Sequence, residues 1–308
     1  MEIIRGTHNL KSRHRGCVLT IGNFDGVHHG HKLLLSHLEE KKREFQVPST
    51  LLTMEPAPRE YFRGEAVPAR LTRFREKVTL LEPLGLDRIL CLPFNEQIAN
   101  VPPEWVVDDL CHKLLDVRHV VVGDDFRFGK GAKGSYATID AAGRKHGFGV
   151  SSLGTLIYDS ERVSSTRVRQ LLALGDFPSA EKLLGHPYFI MGRVVYGRQL
   201  GRELGVPTAN IQLQRYRAAL EGVYSVKVSG LGELRYGIAN IGVRPTVDGR
   251  EPLLEVHIFD FDEDIYGDLI TVEFCNKIRE EREFHDLEAL KTQIHQDLEV
   301  ARDWFYGT

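Results

Sequence analysis

Residues 22–31 of the 308-residue chain contain three glycines, three histidines and one aspartate. The stretch follows an apolar run typical of a strand and precedes an amphipathic helical pattern. Glycines let a backbone approach a ligand closely, and a helix start offers free N–H groups and the positive end of its dipole. His28 and His31 flank that helix start, where they can donate hydrogen bonds to phosphate oxygens. The pattern favours nucleotidyl transfer, in which negative charge on the α-phosphate must be stabilised.

The same residue types leave two other interpretations open. Histidines at this spacing also occur in metal sites, and a polar glycine-rich segment can be a solvated loop. The position between a strand and a helix favours the phosphate site. We therefore predict that His28 and His31 are catalytic and that four neighbours bind ATP or its phosphates: Gly22, Asn23, Phe24 and Gly26.

A second candidate site lies in the last third of the chain, where Thr208 and Asn210 stand two residues apart. A threonine hydroxyl and an asparagine carbonyl are hard oxygen ligands, suited to the Mg²⁺ that ATP phosphates carry. A capped turn is the alternative, because Pro, Thr and Asn are also turn residues. The preceding segment is rich in glycine, and its candidate phosphate contacts are Gly192, Gly197, Gly201 and Arg202.

Glu255 is the candidate base of this second site. Within residues 253–259, leucine, valine and isoleucine alternate with Glu255, His257 and Phe259, as on a strand with one face in the core. A carboxylate on such a strand usually faces solvent. Beside Mg–ATP it can instead take the proton from a substrate hydroxyl.

The predicted secondary structure that must position these residues changes near residue 185, from alternating strands and helices to short strands. Before it, short apolar runs alternate with helical patterns, which predicts a doubly wound parallel sheet with ligands beyond the carboxyl ends of its strands. The predicted strands are residues 18–21, 49–54, 88–92 and 117–122, and the predicted helices are 31–45, 73–81 and 104–115.

After residue 185, short alternating runs separated by Gly, Pro and Asp predict a small antiparallel barrel. These runs are residues 189–196, 223–228, 234–241, 253–259 and 269–274, and a long helix follows over about 286–305. We predict two domains, residues 1–185 and 186–308, because the chain is long for a single hydrophobic core.

Composition narrows the class of protein further. With 42% hydrophobic residues, the chain can bury its cores. Its formal net charge of −3 gives the whole molecule no attraction to nucleic acid or anionic membrane. The four cysteines are scattered, which argues against a disulfide framework. No apolar run approaches membrane-spanning length and the N-terminus lacks an apolar signal region, so we expect a cytoplasmic protein.

Residues 129–134 spell the pattern G-x-G-x-x-G. No helical pattern begins at once after it, and no acidic residue is clearly placed after a second strand. We predict a mobile basic loop near the nucleotide and no dinucleotide site.

The first candidate site resembles the G-x-F-D-G-x-H-x-G-H signature of the adenylyltransferase domain of bacterial bifunctional riboflavin kinase/FAD synthetases, and more distantly the HxGH nucleotidyltransferases. Three further segments fit that family in order, residues 55–58, 121–129 and 163–169. The resemblance implies a Rossmann-like α/β nucleotidyltransferase domain with additional ATP or phosphate contacts from Asp125, Ser164, Thr166 and Arg169. Ala57 and Asp125 depart from the commonest pattern, which has His and Asn there.

The second half resembles riboflavin kinase, a small antiparallel β-barrel with a C-terminal helix. The matching segments are residues 207–210, 222–224, 240–242, 244–246 and the Glu255 strand. The resemblance implies that Glu255 is the base for the ribityl 5′-hydroxyl and that Thr208 and Asn210 lie at the metal. It also places Arg279 and Phe284 at the isoalloxazine ring.

Together the two resemblances imply a Mg²⁺-dependent enzyme that uses ATP twice. It would phosphorylate riboflavin to FMN and then adenylylate FMN to FAD with release of pyrophosphate. Its partners would be riboflavin, FMN, FAD and ATP, without nucleic acid or membrane. The first of two rival hypotheses is an enzyme in which only one domain is active, and the departures at Ala57 and Asp125 keep it open. The second is a non-catalytic flavin or nucleotide sensor. A sensor needs no proton acceptor, so Glu255 counts against the second.

Overall fold

The computed structural model describes residues 1–159, 161–197, 201, 205–246 and 249–307. The chain forms two compact units. One contains Met1–Val67 and Arg73–Ser164, and the other contains Pro68–Thr72 and Ser165–Thr308. The boundary between the predicted domains 1–185 and 186–308 stays a prediction.

The first unit is built on a six-stranded parallel sheet. The order across it is β1-β4-β3-β2-β5-β6, with strands β1 (Glu2–Arg5), β2 (Val18–Ile21), β3 (Ser49–Glu55), β4 (Arg88–Pro93), β5 (His119–Gly123) and β6 (Gly149–Leu153). The four predicted strands are confirmed. The sequence analysis missed β1 and β6, which lie at the sheet edges and have fewer fully buried residues than the central strands.

The direction in which the chain winds reverses between β2 and β5. From β2 the chain runs through helix α1 (His29–Phe45) to β3, which lies beside β2 towards one edge of the sheet. From β5 it runs through the helix at Tyr136–His146 to β6, which lies beside β5 towards the opposite edge. In open α/β sheets the loops diverge where the winding reverses, and ligands bind in the crevice between them at the carboxyl edge. Both loops carry predicted site residues.

The remaining helices of this unit are α2 (Pro58–Arg63), α3 (Phe74–Leu81), α4 (Glu96–Ala99) and α5 (Tyr136–His146). The predicted helix over 104–115 is a π-helix at Trp105–Leu114, and the Leu115 N–H donates to the Leu110 carbonyl at 3.0 Å. The prediction that no helix begins at once after residues 129–134 is wrong. Helix α5 starts at Tyr136, and the overlooked signal is the capping pair formed by Ser135 and Thr138.

The second unit contains a closed antiparallel barrel in the order β10-β13-β12-β11-β14-β9. Its strands are β9 (Phe189–Val195), β10 (Ala209–Gln212), β11 (Gly222–Ser229), β12 (Arg235–Thr246), β13 (Gly249–Ile258) and β14 (Leu269–Arg279). All five predicted runs are confirmed as strands, and β10 was missed because its four residues follow turn-forming Pro207 and Thr208.

Three helices of the second unit are α6 (Ser165–Leu174), α7 (Phe177–Leu184) and α8 (Leu287–Tyr306). The predicted C-terminal helix is confirmed as α8, and Asp286 caps it by accepting from the Ala289 N–H at 2.8 Å. Ala301 of α8 packs with Val223 and Phe259 of the barrel. The predicted fold class, an α/β domain followed by a small antiparallel barrel with a C-terminal helix, is confirmed.

Among the described residues, no helix is long and apolar enough to span a membrane. The described residues also contain no group of three or more His, Cys, Asp or Glu arranged to hold a metal ion. The four cysteines are free thiols, and burial raises the pKa of Cys17 to about 11.

Candidate active sites

The loop between β2 and α1 has an unusual backbone at the crevice. Phe24, Gly26 and Val27 have positive φ angles of 50°, 85° and 43°. Phenylalanine and valine seldom adopt such angles, because their side chains crowd the backbone there. Phe24 and Val27 are 2% and 0% exposed, so burial in the core holds the loop in this shape. Asn23 is exposed beside them.

His28 and His31 stack face to face at the start of α1. Their ring centroids are 3.7 Å apart, and the Phe24 ring stacks on His31 at 4.6 Å. Burial lowers the pKa of His28 to about 4 and the pKa of His31 well below its ordinary value. Both imidazoles are therefore neutral at pH 7.

The buried Nδ1 atoms of His28 and His31 have no hydrogen-bond partner in the described structure. A neutral imidazole has one N–H donor and one acceptor nitrogen. Each ring can therefore offer one donor to a ligand. The predicted role of the two histidines as phosphate hydrogen-bond donors fits this arrangement.

Two glycines make room for the ring stack. A Cβ atom on Gly30 would lie 3.2 Å from His28 Cε1 and Nδ1, and one on Gly22 would lie 3.0 Å from Phe24 Cε2. Both distances are shorter than ordinary van der Waals contact. A side chain at either position would therefore crowd the rings of the stack.

Asp125, on the loop after β5, is paired with an arginine. Its Oδ2 lies 2.6 Å from Arg162 Nη2, and Arg162 belongs to a small hairpin formed by β7 (Ile157–Tyr158) and β8 (Glu161–Arg162). Both side chains are more than half exposed, so the pair contributes at most about 1 kcal/mol to stability. Burial is the largest cause of the lowered pKa of His28, and the positive charge of Arg162 also lowers it. The aspartate that departs from the family pattern therefore has a neutralising partner near the histidines.

The predicted phosphate residues of the segment 163–169 are divided between the two units. Ser164 ends the first unit, whereas Thr166 and Arg169 lie on α6 in the second. Arg169 Nε donates to the Ala69 carbonyl and so anchors the short segment Pro68–Thr72. A joint phosphate contact from these residues stays a prediction.

Aromatic side chains at the carboxyl edge of the sheet were missed in the sequence analysis. Tyr61 and Phe62 of α2 meet Phe94, which follows β4, with ring centroids 5.3 to 5.7 Å apart. Phe62 is 66% exposed and Tyr61 is 43% exposed. A cluster of exposed aromatic rings is typical of a binding surface. The signal in the sequence is the Tyr-Phe pair shortly after residues 55–58.

The barrel pairing places Glu255 directly beside Asn210. The two are partners in the β10–β13 ladder, and Glu255 also lies opposite Asn240 of β12. Partners in a ladder have their side chains on one face, with Cβ atoms about 5 Å apart. Asn210 is 7% exposed and Glu255 is partly buried. The predicted base and one predicted metal ligand therefore lie together, although 45 positions separate them in the sequence.

The glycines before Thr208 pass close to the predicted ligands. A Cβ on Gly197 would collide with the Asn210 amide, and one on Gly201 would lie 3.3 Å from Thr208 Oγ1. These two glycines bring the loop backbone against the ligand pair, which fits their predicted place at the phosphates. Arg202, also predicted there, lies outside the described residues.

Thr208 also lines a cleft of about 260 Å³ at one end of the barrel. Apolar walls come from Val194, Val256 and Ile258, and the acidic residues 262–264 border it. Gly192, another predicted phosphate contact, lies inside β9, where a Cβ would collide with Ile211. Packing against Ile211 is by itself a sufficient reason for a glycine at position 192.

The predicted flavin residues lie near one another. The Arg279 guanidinium is 5.6 Å from the centre of the Phe284 ring. Arg279 Nε and Nη2 also donate to the Asp297 carboxylate of α8 at 2.9 and 2.8 Å, and Asp297 is 3% exposed. This bidentate pair fixes the guanidinium, so Arg279 holds one side of the Phe284 ring in place.

Two family models match the chain. The model described as FAD synthetase matches residues 10–167, and the model described as riboflavin kinase matches residues 184–305. A bifunctional riboflavin kinase/FMN adenylyltransferase from Pseudomonas fluorescens is 49% identical over 303 residues, which cover 98% of this chain and 97% of that protein. The protein of the same name from Escherichia coli (strain K12) is 47% identical over 307 residues, with 99% and 98% covered.

A solved structure resembles the whole chain. It is described as a macrolide-efflux protein from Streptococcus pneumoniae, with a TM-score of 0.80, 28% identity, and coverage of 99% of this chain and 100% of that one. The description concerns that protein.

A parallel-sheet unit matched by the FAD synthetase model and an antiparallel barrel matched by the riboflavin kinase model define a bifunctional transferase. The relatives and the two family models make the classification specific. The chain belongs to the bifunctional riboflavin kinase/FMN adenylyltransferase family.

Proposed function

We propose that the barrel phosphorylates riboflavin with Glu255 as the general base. The observation that supports this role is the ladder pairing of Glu255 with Asn210. A carboxylate beside the ATP phosphates takes the proton from the 5′-hydroxyl of the ribityl chain as its oxygen attacks the γ-phosphate. The products are FMN and ADP.

Thr208 and Asn210 are the proposed Mg²⁺ ligands. A hydroxyl and an amide carbonyl are oxygen donors that suit this ion, which usually retains several waters and phosphate oxygens as its other ligands. When bound, Mg²⁺ neutralises charge that develops on the β- and γ-phosphates. The apolar walls of the cleft beside Thr208 suit the nucleoside end of ATP, and Phe284 suits the flavin ring.

The first unit is the proposed site of FMN adenylylation. The second pKa of a phosphate monoester is about 6, so the FMN phosphate is already ionised at neutral pH and needs no general base. The neutral His28 and His31 then each donate one hydrogen bond, to the α-phosphate and the leaving pyrophosphate. The exposed rings of Tyr61 and Phe62 give the isoalloxazine an apolar surface.

Gly30→Ala tests whether the ring stack matters to adenylylation. The added Cβ would push the His28 ring by a few tenths of an ångström, and we expect FMN adenylylation to fall about tenfold, since misplacement by 1 Å can cost ~10²-fold. Alanine favours helix over glycine, so the free energy of unfolding should not fall. Riboflavin phosphorylation by the same variant is the internal control. A normal adenylylation rate would contradict the role of the stack.

The whole proposal is tested by chromatography of riboflavin, ATP and Mg²⁺ with the enzyme over time. We expect FMN to appear first, with ADP, and FAD to follow, with pyrophosphate. Chelation of Mg²⁺ should stop the first step. FAD formation without FMN, or full phosphorylation without a divalent ion, would contradict it.

The one-domain and sensor hypotheses are not favoured, since relatives named for both activities align over nearly the whole chain. A cytoplasmic location and the absence of nucleic-acid and membrane partners stay predictions.

A further inference from the structure

His257 contacts the backbone just before Thr208. Its Nδ1 lies 2.8 Å from the Pro207 carbonyl oxygen. A carbonyl only accepts hydrogen bonds, so Nδ1 carries the proton and donates. Burial lowers the pKa of His257, and the ring at neutral pH is therefore the Nδ1–H tautomer.

The orientation of the His257 ring is set by packing. The ring meets Phe259 edge to face, with centroids 5.9 Å apart and an interplanar angle of 63°. Phe259 is 3% exposed, and the Arg302 guanidinium of α8 covers it at 4.5 Å from the ring centre. The donor on His257 is thus held by a side chain that is itself fixed between the barrel and α8.

The turn that receives this hydrogen bond lies outside the β10–β13 ladder. The β10–β13 ladder begins at Ala209, so it does not include Pro207 or Thr208. Proline has no N–H to donate. Within the turn, Asn210 Nδ2 donates to the Thr208 carbonyl at 3.4 Å, which is long for a hydrogen bond. The shorter bond from His257 ties the turn to β13.

We propose that His257 is a positioning residue for riboflavin phosphorylation. By holding the Pro207 carbonyl it fixes the Thr208 hydroxyl relative to Asn210 and Glu255. It acts through the turn and does not contact the substrate. The proposal rests on the proposed role of Thr208 and Asn210 as Mg²⁺ ligands.

A matched pair of variants, His257→Asn and His257→Leu, isolates the hydrogen bond. Asparagine and leucine branch at Cγ with the same number of side-chain heavy atoms, and both remove the ring. Asparagine alone keeps a donor near the position of Nδ1. We expect the leucine variant to raise the KM for Mg–ATP about tenfold over the asparagine variant, because the Pro207 carbonyl loses the donor that ties the turn to β13. The asparagine variant should stay within about threefold of the wild-type KM.

Two further measurements separate positioning from a general effect on the fold. FMN adenylylation should be equal in both variants, and their thermal unfolding temperatures should agree within a few degrees. Equal KM values for Mg–ATP in the two variants would overturn the proposal. So would a loss confined to kcat, since a displaced metal turn weakens Mg–ATP binding.

Thr208→Val tests the assignment on which the inference depends. A raised Mg²⁺ requirement for phosphorylation in this variant supports the metal role. If it has no effect, the metal assignment fails. If it has the expected effect while the His257 pair shows no difference, only the role of His257 fails.

Discussion

Glu255→Gln is expected to slow riboflavin phosphorylation by about 10²–10⁴-fold, the usual contribution of a positioned general base. Glutamine keeps the size and polarity of the side chain, so the pairing with Asn210 across the ladder can persist. It cannot accept the hydroxyl proton. Initial rates of FMN and ADP formation at saturating riboflavin and Mg–ATP measure the effect.

Glu273→Gln is the matched control for this variant. Glu273 lies on β14 of the same barrel and forms a half-buried ion pair with Lys227 at 3.0 Å. Its replacement should leave both activities close to wild type, and Glu255→Gln should leave FMN adenylylation nearly intact. A loss of phosphorylation below tenfold, or an equal loss in the two glutamine variants, would rule out Glu255 as the base.

His28→Ala is expected to have the opposite selectivity. Loss of one preorganised donor to the reacting phosphate costs about 10²–10³-fold in rate, and His28 is such a donor in our proposal. Riboflavin phosphorylation should be unchanged, so the variant should accumulate FMN. Rates of FAD and pyrophosphate formation from FMN and ATP measure the loss.

His37→Ala controls for a general effect on α1. His37 is on the same helix but bonds to Glu40 at 2.9 Å and Ser151 at 3.2 Å, away from the ring stack. It should retain adenylylation. Comparable losses in both alanine variants would show that a disturbed helix, and not a missing phosphate donor, explains the result.

The sequence alone was sufficient to predict the parts of the site that depend on the order of neighbouring strands and helices along the chain. A glycine- and histidine-rich loop between a strand and a helix necessarily lies at the carboxyl edge of a parallel sheet, so the place of His28 and His31 followed from the order of elements. The alternation around Glu255 likewise identified the face of its strand, and the burial of Leu254, Val256 and Ile258 confirms it.

The parts that could not be predicted depend on pairing between distant segments. Nothing local indicates that Glu255 lies opposite Asn210, because that register is set when the short strand β10 joins the barrel. The pairing of Asp125 with Arg162 depends on a hairpin 37 residues later. The neutral state of His28 and His31 depends on their burial in the folded protein. The composition of the segment does not indicate that these rings become buried.

The central claim is that two independent sites carry out successive steps, and mixing the two disabled proteins tests it most directly. Glu255→Gln and His28→Ala are each supplied with riboflavin, ATP and Mg²⁺, separately and as an equimolar mixture, and FAD is followed by chromatography. We expect the first alone to leave riboflavin unconverted, the second alone to stop at FMN, and the mixture to produce FAD. FAD from either variant alone at the wild-type rate, or none from a mixture in which each protein retains its own activity, would contradict the claim.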